Sequence, residues 1–204
     1  MINVITISRE YGSGGRCIGE KIAKELGIPF YDKVLIDMIA SESGMDVGYV
    51  ENVVENLSMA QAFDIAASGY YTVSPFLDTT QVVSESVFTT QSKIIRKIAD
   101  QGPCVIVGRC AEYILKDRED CLNVFIHADM DDKIKRVRDS YGIEEKKVIS
   151  TIKKSDKARA KHYAFYCEEK WGLARNYDLS FNSSKFGEEG VVNIIKRIVE
   201  SEKF

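Results

Sequence analysis

The residues best suited to chemistry lie close to the amino terminus. Ser8-Arg9-Glu10-Tyr11-Gly12-Ser13-Gly14-Gly15-Arg16-Cys17 places three glycines beside two arginines. Glycines let backbone N–H groups converge on an anion without interference from Cβ. A helix that starts at such a loop adds unpaired N–H groups and a favourable dipole. Arg16 offers a planar fork that can pair with two phosphate oxygens, where lysine would act as a point charge. Gly12, Ser13, Gly14, Gly15, Arg16 and Cys17 are therefore the candidate cradle for the phosphates of a donor nucleotide.

The Walker pattern GxxxxGK[ST] is not met. A reading with one gap puts Arg16 at the lysine position and Cys17 at the Ser/Thr position, with Glu10 at the leading glycine. A thiol is a poor ligand for Mg²⁺, which prefers oxygen. Ser13 or a water would have to take that place. A glycine-rich turn that holds no ligand is the alternative.

The elements around the loop suit the first reading. Ile2, Val4, Ile5 and Ile7 form a short β-branched run that predicts a buried strand. Ile18, Ile22 and Leu26 then recur at four-residue spacing, with Gly27 and Pro29 as a stop signal. Strand, glycine loop and helix is the context a phosphate loop requires. Asp32 is a plausible N-cap for a second helix carrying Val34, Leu35, Met38 and Ile39. A short helix is expected over Asp46–Leu57.

Ser58–Gln91 contains no Lys or Arg and is rich in Ser, Thr and Tyr. It reads as irregular or weakly helical, as a flap or a subunit contact. A homodimer through Tyr70–Phe88 follows from its aromatic residues. Helix is predicted again over Ser92–Asp100, then a strand over Cys104–Val107 closed by Gly108-Arg109, and a short helix over Ala111–Leu115. Leu122–Ile126 and Leu179–Phe181 read as strands. Helical spacing follows at Met130–Tyr141, Glu144–Lys161 and Val191–Val199. Strands alternating with helices predict a three-layer α/β/α domain around a mostly parallel sheet of about five strands.

Several side chains carry more than one reading. Arg109 at a strand end suits anion binding, because open α/β sheets bind ligands there, but it also suits a surface ion pair. Seven cations (Lys146, Lys147, Lys153, Lys154, Lys157, Arg159 and Lys161) share one stretch in which Asp156 is the acid. That run fits a solvated helix face, a lid closing on polyphosphate, or a nucleic-acid contact. Trp171, Tyr163, Phe165 and Tyr166 fit packing at the base of a lid or stacking on a base. Asp129 and Asp131 fit helix N-capping or proximity to magnesium. His127 and His162 lack metal-ligand spacing, and no metal centre is expected.

The whole composition sets the outer bounds. The chain has 204 residues, 45% of them hydrophobic, and a formal charge of −3. That suits one core and gives no global field for nucleic acid or an anionic membrane. The five cysteines form no CxxC, which speaks for reduced thiols in a cytoplasmic protein. No signal peptide is visible, and no apolar run approaches the ~20 residues that span a bilayer.

On its motifs the chain resembles the cytidylate-kinase-like family of P-loop proteins. The matching stretches are ITISREYGSGGRCIGEKIAKEL with PFYDKVLI after it, VIVGRCAEYIL at 105–115, SDKARAKHY at 155–163 and NYDLSFNSS at 176–184. The resemblance covers essentially the whole chain and implies a single P-loop kinase-like domain over 1–204. It implies an acceptor-binding region near 31–100 and a lid near 138–172. It implies ATP with Mg²⁺ as donor and a nucleoside monophosphate, CMP or dCMP, as acceptor. Asp32 then lies near the acceptor nucleotide and Arg109 on the acceptor phosphate. Asp156 helps recognise the acceptor, Arg159 approaches the transferring phosphoryl, and Arg136 borders the lid. Arg16, Arg159 and Asp156 form the expected catalytic set. The chain departs from true cytidylate kinases at Gly15, which stands at the lysine position in a strict alignment, and at Cys110-Ala111 after the Gly-Arg pair. A nucleotide- or anion-binding regulator without kinase activity, or a kinase for another small metabolite, are the competing functions.

Overall fold

The computed structural model describes residues 2–51 and 75–201. Strand β1 (Val4–Arg9) leads through the glycine loop into helix α1 (Gly15–Leu26), and β2 (Phe30–Tyr31) and α2 (Val34–Ser43) follow. Residues 47–51 are helical. Helix α3 (Pro75–Gln101), β3 (Cys104–Val107), the single turn α4 (Ala111–Ile114) and β4 (Cys121–His127) come next. Helices α5 (Met130–Tyr141) and α6 (Glu145–Cys167), a 3₁₀ turn (Ala174–Asn176), β5 (Leu179–Asn182) and α7 (Ser183–Glu200) complete the chain.

The strands form one sheet in the order β2-β3-β1-β4-β5, and every neighbouring pair is parallel. β3 reads as an unbroken apolar run, and β1 is buried from Val4 to Ser8, because helices cover both faces of the sheet. Val4, Cys104, Ile106 and Cys121 face one core with Leu35, Ile39, Ile95 and Ile98 from α2 and α3. Ile5, Ile7, Val105, Val107, Val124 and Ile126 face the other with Ile18, Ile22, Val191 and Ile195 from α1 and α7. The three-layer expectation therefore holds, five strands included.

This topology creates the site. The loop after β1 leads to α1 on one face, while the loop after β3 leads to α4 on the opposite face. Adjacent parallel strands whose connections part in this way leave a crevice beyond their carboxyl ends, where α/β proteins bind ligands.

Two expectations about local structure need correction. Helix α3 includes 75–91, so of the two readings, irregular or weakly helical, the helical one holds there and the helix begins well before Ser92. Val87, Gln91, Ile94, Ile95 and Ile98 are buried at helical spacing. Thr90 and Ser92 donate to the carbonyls of Ser86 and Phe88, at 3.0 and 2.7 Å, so these hydroxyls are satisfied within the helix. Phe88, at one end of the suggested dimer contact, stacks on Tyr166 of the same chain at 4.0 Å. Residues 58–74 and most of that contact lie outside the described residues, as does the helix expected at 46–57 beyond residue 51. The second correction concerns caps. Asp32 does not cap α2, because its carboxylate is held by arginines instead. Asp129 occupies the N-cap position of α5 without a side-chain cap bond; it accepts from Asn182 Nδ2 at 3.0 Å.

No helix among the described residues is long and apolar enough to cross a membrane.

Candidate active site

A cavity of about 600 Å³ opens beyond the carboxyl ends of β1 and β3. The glycine loop and the start of α1 form one wall. Asp32, Lys33 and the Gly108-Arg109-Cys110 turn form the second, and Ser155, Ala158, Arg159 and His162 of α6 form the third.

The loop is built as an anion cradle. Gly12 and Gly14 both take φ of 81°, a left-handed conformation that side chains disfavour. The first bond of α1 runs from Ile18 N to Gly14 O at 3.0 Å, so the amides of Gly15, Arg16 and Cys17 precede the helical ladder. These three residues line the cavity. Ser13 does not. Its hydroxyl donates to Glu10 O at 2.8 Å, its amide turns back to the same carbonyl at 3.3 Å, and its carbonyl accepts from Ser183 at 2.7 Å. Ser13 therefore shapes the loop, and the idea that its hydroxyl replaces a magnesium ligand is not supported.

Asp32 is 6% exposed and lies between two cations, 2.8 Å from Arg16 Nε and 3.7 Å from Arg9 Nη2. Arg16, more than half exposed, thus leans from the start of α1 across the cavity mouth.

The β3 turn is strained. Gly108, Arg109 and Cys110 have successive φ of 74, 61 and 54°. Left-handed non-glycine residues cost about 1–2 kcal/mol each and persist where the surroundings hold them. Here buried Gln91 donates to Arg109 O at 3.0 Å, and Ala111 N donates to Gly108 O at 3.1 Å. The strain brings Arg109 onto the cavity wall, as the Gly-Arg pair suggested.

Helix α6 is docked on the loop. Arg159 Nη1 donates to Arg9 O at 2.9 Å, and its guanidinium lies 5.5 Å from the centre of the Tyr11 ring. Burial lowers the pKa of Arg159 despite the attraction of Asp156. Asp156 itself faces away from the cavity. One oxygen accepts from Tyr11 N at 2.6 Å and the other from Lys133 Nζ at 2.8 Å. Both oxygens of Asp156 are thus engaged, one by the loop and one by Lys133. Arg136 likewise lies outside the cavity, with Nη1 donating to Gly12 O at 2.6 Å and Nη2 3.3 Å from Glu188. It thereby links the loop at Gly12 to Glu188 on α7.

Three residues went unnoticed in the sequence. Buried Lys133 joins Asp156 to Glu10, at 2.8 and 3.1 Å; burial works against its charge, yet the two carboxylates raise its pKa. Arg9 ends β1 inside the crevice, its pKa lowered to about 9 by burial and then by the positive charge of Arg159. Glu112 on α4 is 4% exposed, and burial pushes its carboxyl up to about 7. Tyr177 donates to Glu112 Oε1 at 3.4 Å, while Oε2 is, among the described residues, a buried oxygen without a hydrogen-bond partner. Trp171 Nε1 donates to Ser8 Oγ at 3.0 Å beside it, so this ring is fixed at the cavity floor. His162 contacts Cys110 Sγ at 3.5 Å, and burial followed by Arg109 pushes its pKa down to about 4, so the imidazole is neutral.

A parallel five-stranded sheet with a glycine loop at the β1–α1 junction and arginines over the strand ends defines a P-loop phosphotransferase. Residues 4–185 match the cytidylate kinase-like family, and the chain belongs to that family. A curated relative, the cytidylate kinase of Pyrococcus horikoshii, is 25% identical over 202 residues, which cover 97% of this chain and 88% of that protein. The crystal structure of an uncharacterized protein from Eubacterium ventriosum is 30% identical with a TM-score of 0.71, covering 99% of this chain and 100% of that one. Shikimate kinase from Bacteroides thetaiotaomicron shares the fold at a TM-score of 0.56 and 16% identity, over 98% of this chain and 99% of that one.

Proposed function

We propose that the protein transfers the γ-phosphoryl group of ATP to a nucleoside monophosphate, CMP or dCMP. The observation that carries this reading is the convergence of the α1 amino terminus with Arg9, Arg109 and Arg159 around one cavity. Arg159 and Arg109 lower the pKa of Arg9, and partly buried cations gathered in this way form a site matched to a polyanion. Phosphoryl transfer needs little covalent chemistry from a protein; it needs in-line positioning and neutralisation of charge.

In this reading the amides of Gly14 to Cys17 and the Arg16 side chain hold the donor phosphates. Arg109 holds the acceptor phosphate, and Arg159 reaches the transferring group from the lid. Asp32 keeps Arg16 and Arg9 at the junction of the two subsites. Asp156, Lys133 and Arg136 keep the loop in shape. The acceptor region falls near 31–100 and the lid near 138–172, so α6 excludes water as it closes. Magnesium enters with the nucleotide; Mg²⁺ keeps several waters and takes few protein oxygens.

The test is turnover of ATP–Mg²⁺ with a panel of nucleoside monophosphates and with small hydroxylated acids. CMP and dCMP are expected to be the best acceptors. Turnover of another acceptor alone would move the substrate. Tight ATP binding with no turnover of any acceptor would make the protein a nucleotide-binding regulator.

A further inference from the structure

In the pattern GxxxxGK[ST] the head is a glycine, and the lysine reaches the β- and γ-phosphates. Laid on this loop without a gap, the pattern matches Gly14, puts Arg9 at the head, Gly15 at the lysine position and Arg16 at the Ser/Thr position. The departures at the head and at the lysine position fit together in space. A Cβ on Gly15 would stand 2.5 Å from Arg9 Cβ and 3.0 Å from Arg9 Cγ, closer than packed side chains allow. Position 15 is therefore closed to a lysine while position 9 is an arginine. A Cβ on Gly108 would overlap Arg9 Nη1 and lie 3.0 Å from Cζ. The Arg9 side chain thus runs along a channel between two glycines, Gly15 at its root and Gly108 at its head.

The head of that side chain sits where the two subsites meet. Asp32 Oδ1 is 3.7 Å from Arg9 Nη2, and Asp32 also holds Arg16. Arg159 is bonded to the Arg9 carbonyl. Arg109 follows Gly108 directly and shares the cavity wall.

We propose that Arg9 is the cation that accompanies the γ-phosphoryl group in transfer, supplied from the head of the loop in place of a lysine at position 15. The assignment rests on the kinase reading above and names the residue that makes an irregular loop competent. In the transfer step an oxygen of the acceptor phosphate, already anionic, attacks the γ-phosphorus. The bond from that phosphorus to the β–γ bridging oxygen breaks, and its electron pair leaves with ADP. No proton need move. Arg9 offers two N–H groups to the equatorial oxygens as the charge spreads over them. Its attraction to Asp32 keeps it at the junction before substrate arrives.

The test compares the wild type with Arg9→Gln, Arg9→Lys and the double variant R9G/G15K. Calorimetry with ATP–Mg²⁺ and ADP–Mg²⁺ gives binding, and turnover with the best acceptor gives kcat. Loss of a fixed donor to developing charge is expected to lower kcat of Arg9→Gln on the order of 100-fold. ATP affinity falls on the order of tenfold, as for a lost charge-assisted contact, while ADP affinity changes little. Arg9→Lys retains part of both, and R9G/G15K regains the preference for ATP over ADP. An Arg9→Gln protein that melts like the wild type and keeps its kcat and ATP preference overturns the assignment. If Arg9→Gln fails to fold, the double variant decides: a folded R9G/G15K protein without ATP preference overturns it, and one with that preference supports it. A wild type that turns over no acceptor, but binds ATP in an Arg9-dependent manner, removes the kinase reading and leaves Arg9 as the triphosphate cation. A wild type that binds no ATP overturns both.

Discussion

Replacing Glu112 by Gln should stabilise the protein at alkaline pH and do little at acid pH. Glu112 is 4% exposed and its Oε2 lacks a partner among the described residues. Burial moves its carboxyl from 4.5 to about 7; backbone and Tyr177 hydrogen bonds and the charge of Arg9 oppose that shift only in part. The folded protein keeps this proton up to about pH 7, while the unfolded chain releases it near 4.5. Between those values the folded state binds more protons, so stability falls as pH rises, and the full penalty is present above pH 7. A displacement of this size corresponds to about 3 kcal/mol. The amide is isosteric and cannot ionise. The gain from Glu112→Gln should therefore be about 2–3 kcal/mol larger at pH 8 than at pH 5. The attraction to Arg9 is already contained in the carboxyl's net upward shift, so its loss does not reverse the gain. Urea denaturation of both proteins at the two pH values measures the difference. An equal change at pH 5 and pH 8 would refute the claim that a buried, ionised carboxylate destabilises the floor of the site.

Two further perturbations address the walls. Lys133→Met leaves Asp156 and Glu10 facing each other without their shared cation, and should cost about 2 kcal/mol in urea denaturation, the range of a lost charged hydrogen bond; a change within error would show that the pair is solvated enough to stand alone. Arg159→Ala should lower kcat on the order of 100-fold or more while changing ATP affinity only a few-fold, as expected of a group that meets charge in the transition state; unchanged kcat would remove α6 from the chemistry.

Much of the architecture was legible because parallel sheets buried on both faces leave a plain record. Ile5, Ile7, Val105, Val107 and Val124 fall in short apolar runs, each bounded by glycine or polar residues. The glycine loop and Gly108 stood out because glycine is favoured where φ is positive, as at Gly12, Gly14 and Gly108. The amino-terminal half of α3 did not stand out. Thr90 and Ser92 near its middle bond their own helix, and a polar composition hides the spacing of Val87, Gln91 and Ile94. Asp32 looked like a cap because acids precede many helices; its actual partners, Arg9 and Arg16, come from elsewhere in the fold. For Asp156 and Arg136 the motif fixed position along the chain and not which way a carboxylate or guanidinium turns, and both contact the loop from outside the cavity.

Arg9, Lys133 and Glu112 share a reason for escaping notice. Each is a charged residue whose meaning depends on burial, and burial here follows from strand order. Arg9 becomes a crevice residue only because β1 is central and the next strand on one side is β3, whose connection departs to the opposite face. The same order sets Gly108 against its guanidinium and Gly15 against its stem. Arginine at the head of the loop and glycine at the lysine position are therefore one packing solution, in which changing either residue alone leaves a clash or a missing charge. A loop whose head and lysine position differ from the Walker pattern by a single exchange keeps a positive charge at the crevice. That linkage separates a rearranged phosphate loop from a decayed one: in a decayed loop the two positions would vary independently, with no side chain filling the room that the absent lysine leaves.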